Sequence, residues 1–397
     1  MTITAVPTPD PYVVFLRDTF FLTFTSGNRV EIWSSPTLLG FYTYPRKTVV
    51  WQPEHGYPFS GNIWAPELHA LCGRWYIYVS CDHPLIGNAS HRLCVLRGPP
   101  TDVSPCEAPW EFLGPLPGLP PHQWSIDGTV FELDDQLYCV YSGWPLLAGY
   151  PGESIKSMVE RGRSQDESIQ ELYIAHMASP ELVDSFAVRI SAPEHRWEFS
   201  GSSGINEGPQ YLKASDGSWK GIVFSCAGSW TRDYKMATLQ YVGGEPLNPR
   251  AWVKSRRPLL QAWSPKLGSI GEGGRRDVGP FGPGHGSFIR MPHGMSGTAD
   301  EDSDGGMLCV FHATDRPDSG WEGRKARAQR VSFTSDGPDM GGFVGRVTTD
   351  VDEFMGCRAV NILGVPGGHG GRSRANGNSR RASIKAKFKG LLGCGLR

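Results

Sequence analysis

Acidic residues recur just ahead of short apolar segments that lie far apart along the chain. Asp10 in "PTPDPYVVF", Asp127 in "SIDGTVF" and Glu207 in "NEGPQYL" each precede β-branched or aromatic residues. Pro9 and Pro11 flank Asp10, and their fixed φ and missing N–H restrict the backbone on both sides of the acid. A polar turn ahead of a strand explains any one of these positions. Taken together, the three acids also admit a chemical explanation.

Two carboxyl groups on opposite sides of a sugar ring are the minimum apparatus for hydrolysing a glycosidic bond. One protonates the leaving oxygen while the other activates a water molecule. A third carboxyl group can raise the pKa of the proton donor by like-charge repulsion and hold it in position. Asp10, Asp127 and Glu207 suit this chemistry if the fold brings them together, although each acid taken alone favours a structural role.

The acids belong to a repeated pattern of aromatic or aliphatic residues that ends in small polar ones. The copies are "FFLTFTSG" at 20, "WYIYVSCD" at 75, "LYCVYSGW" at 137, "GIVFSCAG" at 221 and "MLCVFHAT" at 307. Each follows a turn and a short segment with a polar residue at or near its start: Asp10, Glu67, Asp127, Glu207 and His285. In "WSIDGTVFELDDQLYCVYSG" this arrangement predicts a hairpin of strand, Asp-Asp turn and strand.

Five similar β units predict an all-β fold, a five-bladed β-propeller. The 50 Gly and 32 Pro fall between short apolar runs, which is typical of turn-rich β proteins. In a propeller the innermost strand of each blade runs along the central channel, so equivalent strand starts meet near one mouth of it. This geometry predicts that Asp10, Asp127 and Glu207 share one site.

Composition and charge exclude several other classes of protein. No apolar run reaches the roughly 18 residues of a membrane span, so we expect a soluble chain without a membrane partner. The net charge is −1, but residues 366–397 hold eight Lys or Arg and no acid, which leaves 31 basic and 40 acidic residues elsewhere. This acidic body is a poor surface for nucleic acid.

Cysteine usage and the first residues bear on the compartment. Nine cysteines without a CxxC pair exclude a zinc ribbon and reveal no disulfide framework. The N-terminal "MTITAVPTPD" lacks a charged segment followed by an apolar one, so no signal peptide is visible.

Five motifs in chain order closely resemble the blade motifs of glycoside hydrolase family 43, a family of inverting enzymes with five-bladed propellers. They are "PDPYVVF", "NIWAPELH", "SIDGTVF", "NEGPQYL" and "GPGHGSF". Within that family the chain is most similar to exo-acting α-L-arabinofuranosidases, through "GNRVEIWSSPTLLG", "GSWTRDYKMATL" and "HATDRPDSGWEGRKARAQRVSF". The resemblance covers residues 7 to about 345. It implies a propeller catalytic domain over 1–350, followed by a Gly-rich basic tail, 351–397, which we expect to be largely disordered.

The resemblance assigns a role to each acid. It implies that Asp10 is the general base, that Glu207 is the general acid and that Asp127 tunes and orients the acid. His285 matches a histidine that lies beside the substrate pocket in relatives, often next to a bound water or calcium ion. A buried core histidine is the alternative for His285. No cofactor is required, and a structural calcium ion or water beside His285 is optional.

Three further residues are candidates for binding substrate. Trp64 offers an apolar face to the sugar, with core filling as its alternative, and Glu67 offers a hydrogen-bond acceptor. Arg324 in "EGRKAR" could bind sugar hydroxyls or serve as a surface charge.

The resemblance implies a monomeric enzyme that removes terminal α-L-arabinofuranosyl units from arabinan or arabino-oligosaccharides with inversion. Two alternatives stay open: a β-xylosidase or arabinoxylan-debranching enzyme of the same fold, and a carbohydrate-binding propeller without catalysis. The presence of all three acids disfavours the binding protein. Because arabinan and arabinoxylan lie outside most cells, the function implies an extracellular location even though no signal peptide is visible.

Overall fold

The chain folds almost entirely into β-strands. The structure, a computed structural model, describes residues 1–54, 56–107, 109–146, 167–263, 279–291 and 306–344. Within these ranges the helical structure consists of one short α-helix, Gly40–Thr43, and two 3₁₀ turns, Arg196–Glu198 and Pro249–Ala251. The predicted all-β class is confirmed. The boundary predicted at residue 350 and the tail over 351–397 lie outside the described residues.

The strands form five antiparallel units, which we number 1 to 5 in chain order. Unit 1 contains β1 Tyr12–Leu16, β2 Thr19–Thr23, β3 Val30–Ser35 and β4 Arg46–Trp51. Unit 2 contains β5 Gly61–Leu71, β6 Arg74–His83, β7 Gly87–Pro100 and β8 Glu111–Pro115. Unit 3 contains β9 Ser125–Leu133, β10 Gln136–Gly143, β11 Ile169–Ser179, β12 Leu182–Val183 and β13 Val188–Ser191.

The remaining strands complete units 4 and 5. Unit 4 contains β14 Phe199–Ser200, β15 Ser203–Lys213, β16 Lys220–Cys226, β17 Lys235–Tyr241, β18 Trp252–Lys254 and β19 Leu260–Gln261. Unit 5 contains β20 Phe281–Arg290, β21 Met307–Thr314, β22 Lys325–Thr334 and β23 Gly337–Asp339, and β24 Gly342–Phe343 then pairs with β19. Units 1, 2 and 5 are separate four-stranded sheets, whereas a short parallel pairing of β11 with β15 joins units 3 and 4 into one sheet that has 12 strands when β24 is included.

Every unit contains an antiparallel hairpin whose second strand carries the repeated sequence pattern, and this hairpin opens each unit except unit 4, where β14 precedes it. Three of these hairpins turn through two residues with positive φ, namely Arg17-Asp18, Cys72-Gly73 and Asp134-Asp135. Two left-handed residues give a turn whose twist matches that of the flanking strands. The predicted hairpins and the Asp-Asp turn are therefore confirmed.

A β-bulge occurs at the same place in the hairpins of units 2 to 5. In unit 1 Tyr12 pairs with Thr23 and the Thr25 N–H donates to the Pro9 carbonyl at 3.0 Å, so Asp10 and Pro11 form the equivalent bulge just before β1. In unit 3 the pairing passes from Ile126↔Ser142 to Thr129↔Val140, so Asp127 and Gly128 together oppose one residue of β10. The first residue of each bulge has φ between +44° and +56°; in chain order these residues are Asp10, Ala65, Asp127, Gly208 and His285. A bulge bends its strand and redirects a side chain. The fold therefore presents five equivalent redirected positions.

Hydrogen bonds link the second strand of each unit to the first strand of the next. They measure 2.7–3.0 Å and join Thr25 to Ala65, Ser80 to Asp127, Ser142 to Asn206, Ser225 to His285, and His312 to Asp10. In four of them the side chain accepts the backbone N–H of the bulge residue, whereas Ser142 Oγ donates to the carbonyl of Asn206. The fifth bond returns from unit 5 to unit 1, so the links are cyclic.

The hydrophobic core follows the same cyclic order. Five clusters of buried side chains each combine residues from two consecutive units, and one of the five joins the last unit to the first. In that cluster Val13 and Phe20 of unit 1 pack with Leu308 and Val310 of unit 5. The N–H of Ile3 also donates to a carbonyl of β22 at 2.9 Å. Apolar burial therefore stabilises the contact between the two ends of the series.

The structure also bears on the disulfide bonds and the membrane spans that the sequence analysis considered. The cysteines in the described ranges are all free thiols, and five of the seven are buried. No helix in those ranges is long and apolar enough to cross a membrane.

Candidate active site

Six of the seven predicted site residues line one cavity of about 600 Å³. Asp10, Asp127 and His285 are the first residues of bulges, while Trp64 and Glu207 immediately precede the bulges of units 2 and 4. The sixth, Arg324, ends the turn before β22. The convergence predicted from the sequence is therefore present, and the repeated bulge is the device that produces it.

Asp10 is surrounded by hydrogen-bond donors and nitrogen atoms. Thr25 Oγ1 donates to its Oδ2 at 2.7 Å, and Arg324 Nη1 donates to its Oδ1 at 3.3 Å. The Nδ1 atoms of His285 and His312 lie 3.4 Å and 3.3 Å from the same Oδ1. These contacts come from units 1 and 5 and hold the carboxylate in a fixed orientation.

The charge state of Asp10 follows from these neighbours. Burial by itself raises the pKa of this carboxyl group. The guanidinium of Arg324 acts in the opposite direction, and so do the two imidazoles of His285 and His312. Their combined effect holds the pKa of Asp10 well below its ordinary value. Asp10 is therefore an anion over the physiological range and can accept a proton.

Glu207 has the opposite character. Burial raises the pKa of its carboxyl group to about 7, and the negative charge of Asp10 acts in the same direction. The Tyr234 hydroxyl and the Arg324 guanidinium oppose this rise only in part. Glu207 is 7% exposed, so its carboxyl group faces the cavity with little access to bulk water. It keeps a proton at mildly acidic pH and can donate it.

Asp127 contacts the surroundings of both other acids. Its Oδ2 accepts the N–H of Gly208, the residue after Glu207, at 3.1 Å and lies 4.0 Å from His285 Nδ1. Burial raises the pKa of Asp127 well above its ordinary value, and the charges of Glu207 and Asp10 add to that effect. The bond to Gly208 is the one junction where a bulge N–H meets a carboxylate instead of a Ser, Thr or His side chain. Asp127 thereby fixes the backbone that carries Glu207.

Burial also affects the two histidines beside Asp10. Burial lowers the pKa of His285, and it lowers the pKa of His312 to about 4. Among the described residues, no three His, Cys, Asp or Glu side chains are arranged to hold a metal ion. A calcium ion beside His285 stays a prediction.

Tryptophan side chains form one wall of the cavity. Trp64 stacks on His91 with ring centroids 3.9 Å apart and an interplanar angle of 23°. Trp124 and Trp144 stack in parallel at 4.8 Å, and Trp64 packs against the small cluster that they form with Ile126. Trp64 thus has both roles considered for it, since it packs against the core and also exposes part of its ring to the cavity.

Glu67 differs from its prediction. It does not line the cavity but is 2% exposed, with its carboxylate hydrogen-bonded to Gln210 of β15 and 2.9 Å from His69 Nε2. The reason is its position, because the bulge of unit 2 begins at Ala65 and Glu67 lies two residues further along β5. It therefore links two first strands inside the fold instead of facing a ligand.

Several residues of the site were missed by the sequence analysis. Thr25 and His312 both contact Asp10, and the pair Trp124 and Trp144 forms the wall. A signal for the first two was present, since both stand among the small polar residues that end the repeated second-strand pattern. Trp144 ends the copy of the pattern at 137, but Trp124 lies outside the pattern, and no spacing in the sequence marks the two as partners.

Comparison with known proteins gives a consistent assignment. The family model described as Glycosyl hydrolases family 43 matches residues 2–338. An alpha-L-arabinofuranosidase 43 from Humicola insolens is 27% identical over 84% of this chain and 61% of its own length. An extracellular exo-alpha-(1->5)-L-arabinofuranosidase from Streptomyces avermitilis is 25% identical with the same coverage. The chain thus spans about three-fifths of the length of these curated relatives.

Solved structures agree on the fold. An alpha-L-arabinofuranosidase from Lactobacillus brevis superposes with a TM-score of 0.66 at 24% identity, covering 85% of this chain and 94% of that one. A thermostable family-43 glycoside hydrolase superposes with a TM-score of 0.62 at 22% identity, covering 86% and 96%. The family model extends over most of the sequence and includes all three acids of the cavity. The chain therefore belongs to glycosyl hydrolases family 43.

Proposed function

We propose that the protein is an exo-acting α-L-arabinofuranosidase that removes terminal arabinofuranosyl units from arabinan or arabino-oligosaccharides by an inverting mechanism. The observation that carries the proposal is the opposite pKa shift of two carboxyl groups on one cavity: Asp10 is held as an anion and Glu207 keeps a proton up to about pH 7. Environments that separate two pKa values in this way distinguish a base from an acid. The curated relatives, named as arabinofuranosidases, support the choice of sugar.

In the proposed reaction Asp10 removes a proton from a water molecule as the water attacks the anomeric carbon. Glu207 simultaneously donates its proton to the glycosidic oxygen on the opposite face, so that the C–O bond breaks and a neutral sugar leaves. Arg324 and Thr25 keep the base ionised and oriented. Asp127 holds the backbone after the acid through Gly208. One displacement inverts the anomeric configuration.

Relatives named as exo-acting enzymes support exo action, and the lining of the cavity suits a terminal sugar unit. Its wall of buried tryptophans, including Trp124 and Trp144, offers apolar faces on which a terminal furanose ring can lie. A pocket that accommodates a chain end favours removal of one unit at a time.

For the architecture, we propose a five-bladed propeller over residues 1–350, with each unit as one blade. Support comes from the cyclic hydrogen bonds between units and from the five hydrophobic clusters that follow the same order. The sheet of 12 strands then comprises two blades, which join where β11 pairs with β15 over two residues, and the added strand β24.

The same proposal concerns the location and the assembly of the enzyme. Two relatives named as extracellular enzymes support an extracellular location, where arabinan and arabinoxylan are found. For the assembly, we propose a monomeric enzyme.

Product analysis tests the function. Purified protein would be incubated with linear arabino-oligosaccharides and, separately, with xylo-oligosaccharides, and the products separated by chromatography. We expect arabinose alone to accumulate from the arabino series, with each chain shortened by one unit, and nothing from the xylo series. Proton NMR of the first product should show the β-anomer before mutarotation.

An Asp10→Asn variant is the matched control because Asn also tolerates the left-handed backbone of Asp10. Release of xylose alone would identify a xylosidase. Binding of oligosaccharides without turnover by the unsubstituted protein would identify a binding propeller, and the α-anomer as first product would exclude inversion.

A further inference from the structure

Two exposed tryptophans lie at the mouth of the cavity, apart from the buried wall. Trp230 is 39% exposed and Trp321 is 60% exposed, and both line the cavity together with Ser229. Their ring centroids are 5.8 Å apart at an interplanar angle of 66°. They are the two tryptophans among the large hydrophobic side chains that are exposed within the described ranges. An apolar surface that remains in water next to a binding cavity is characteristic of an interaction site.

Both rings are held in place by their surroundings. Trp230 lies in the turn between β16 and β17. A Cβ on Gly228 would come within 2.8 Å of the Trp230 ring, so a glycine at this position allows the indole to lie on the backbone. Gly228 N–H donates to Ser200 Oγ at 2.7 Å, which anchors that turn. Trp321 Nε1 donates to Ser229 Oγ at 3.2 Å and thereby joins the two turns. The apolar faces are therefore oriented before any ligand arrives.

The tryptophans are connected to the acid and to the base. The strand that precedes Trp230, β16, pairs with β15 so that Glu207 stands opposite Ser225. On the other side, Arg324 Nε donates to the carbonyl of Trp321 at 3.1 Å while its Nη1 reaches Asp10. A sugar ring that packs on Trp230 and Trp321 therefore lies at the edge of the cavity that Glu207 also lines.

We propose that Trp230 and Trp321 bind the sugar unit that departs, the one whose oxygen receives the proton from Glu207; this inference rests on the proposed function. The C–H faces of a sugar ring are apolar, and aromatic side chains provide a large, rigid surface for them. The Ser229 hydroxyl, between the two indoles, is placed to contact a sugar hydroxyl. Trp64, Trp124 and Trp144 then contact the terminal unit, and the exposed pair contacts the next one.

The test measures binding without turnover. Each tryptophan is changed to alanine in the Asp10→Asn variant, and calorimetry gives Kd for arabinose and for α-1,5-arabinobiose. We expect each alanine to weaken arabinobiose binding by about 10- to 100-fold, as for a tryptophan that dominates an interface. Arabinose binding should change by less than about twofold, since one sugar fills only the inner position. Phe186→Ala, at a residue 94% exposed and absent from the cavity lining, is the matched control and should change neither Kd.

Two conservative variants guard against a trivial loss of folding. Trp230→Tyr and Trp321→Tyr keep an aromatic face and should recover most of the arabinobiose affinity, with melting temperatures close to that of the Asp10→Asn parent. An equal loss for arabinose and arabinobiose would overturn the proposal, because the tryptophans would then shape the inner pocket. Unchanged affinity for arabinobiose would overturn it as well, and so would an alanine variant that alters only the oligomeric state.

The failure of this inference and the failure of the proposed function are distinguishable. If unsubstituted protein hydrolyses arabinobiose but the alanine variants bind it normally, the enzyme assignment stands and the role of the tryptophans is wrong. If no arabinoside is hydrolysed while the alanine variants lose arabinobiose binding selectively, the tryptophans bind sugar in a protein without the proposed activity.

Discussion

The assignment of Glu207 as proton donor makes a prediction that depends on the leaving group. In Glu207→Gln the side chain keeps its size but cannot donate a proton to the glycosidic oxygen. General acid catalysis contributes about 10²- to 10⁴-fold, so kcat/KM for arabinobiose should fall by that factor. A dinitrophenyl arabinofuranoside has a leaving group that departs as a stable phenolate. Its kcat/KM should fall by less than about tenfold.

The pH dependence sharpens the same prediction. With a pKa of about 7, Glu207 is about 90% protonated at pH 6 and about 10% protonated at pH 8. Hydrolysis of arabinobiose by the unsubstituted enzyme should therefore lose a factor of about ten in kcat/KM per pH unit above 7. Glu207→Gln should abolish this alkaline limb, because the group that titrates has been removed.

The assay is initial-rate kinetics from pH 4 to 9 on both substrates, with circular dichroism to verify folding. Glu132→Gln is the matched control, since Glu132 is an exposed acid on β9, the strand that carries Asp127. Equal losses on arabinobiose and the aryl substrate would refute the assignment. So would an alkaline limb that persists in Glu207→Gln, because another group would then be the titrating acid.

Three further outcomes are expected. Arg324→Met removes the cation that lowers the pKa of Asp10 and of Glu207, so both limbs of the pH profile for kcat/KM should move upward, whereas Arg324→Lys should keep the acidic limb closer to its original position. Because the pKa of Glu207 rises from 4.5 to about 7 on folding, the folded state keeps a proton that the unfolded state has lost, and stability decreases as pH rises through that interval. Urea unfolding should then show Glu207→Gln gaining about 3 kcal/mol relative to the unsubstituted protein between pH 4 and pH 8, and a difference that is constant with pH would contradict the shift. Lys254 Nζ lies 2.7 Å from the fully buried Glu198. Because Lys254→Met leaves that carboxylate without its cation, the free energy of unfolding should fall by roughly 3–5 kcal/mol. Unchanged urea unfolding would contradict this prediction.

Much of the fold was accessible from the sequence because its signal is local and repeated. Runs of aromatic or aliphatic residues followed by small polar ones identified the second strand of each hairpin, and a turn with two acidic residues identified the hairpin of unit 3. Asp10, Asp127 and Glu207 were placed together by the same logic. Repetition compensates for the weakness of any single short motif.

The position at which the bulge begins within the first strand of each hairpin could not be predicted in the same way. The bulge begins at residues as different as Asp10, Ala65 and His285, and a polar residue near a strand start does not reveal which position is redirected. Glu67 was misplaced for this reason. In retrospect the bulge has a signal, because the first residue of each bulge directly precedes a Pro or a Gly.

Partners distant in sequence were the other gap. The contact between Asp10 and His312 spans 302 residues, and the packing of Trp124 on Trp144 depends on how two connections meet after the sheets have formed. Local patterns carry no information on such pairs. The pKa shifts were also inaccessible, since they arise from burial and from charges contributed by several units.

The return of the hydrogen-bond cycle to its first unit also has a temporal consequence for a newly made chain. Asp10 emerges from the ribosome early, but the His312 and Arg324 side chains that orient it lie 302 and 314 residues later. At about 5–20 residues per second, roughly 15 to 60 seconds of translation separate the base from its supports. Once β15 and β16 have been made, the acid Glu207 can already stand on a paired strand while the water-activating side of the site is still incomplete. A nascent or prematurely terminated chain is therefore expected to be inert toward glycosides, and catalytic competence arrives only with the final sheet.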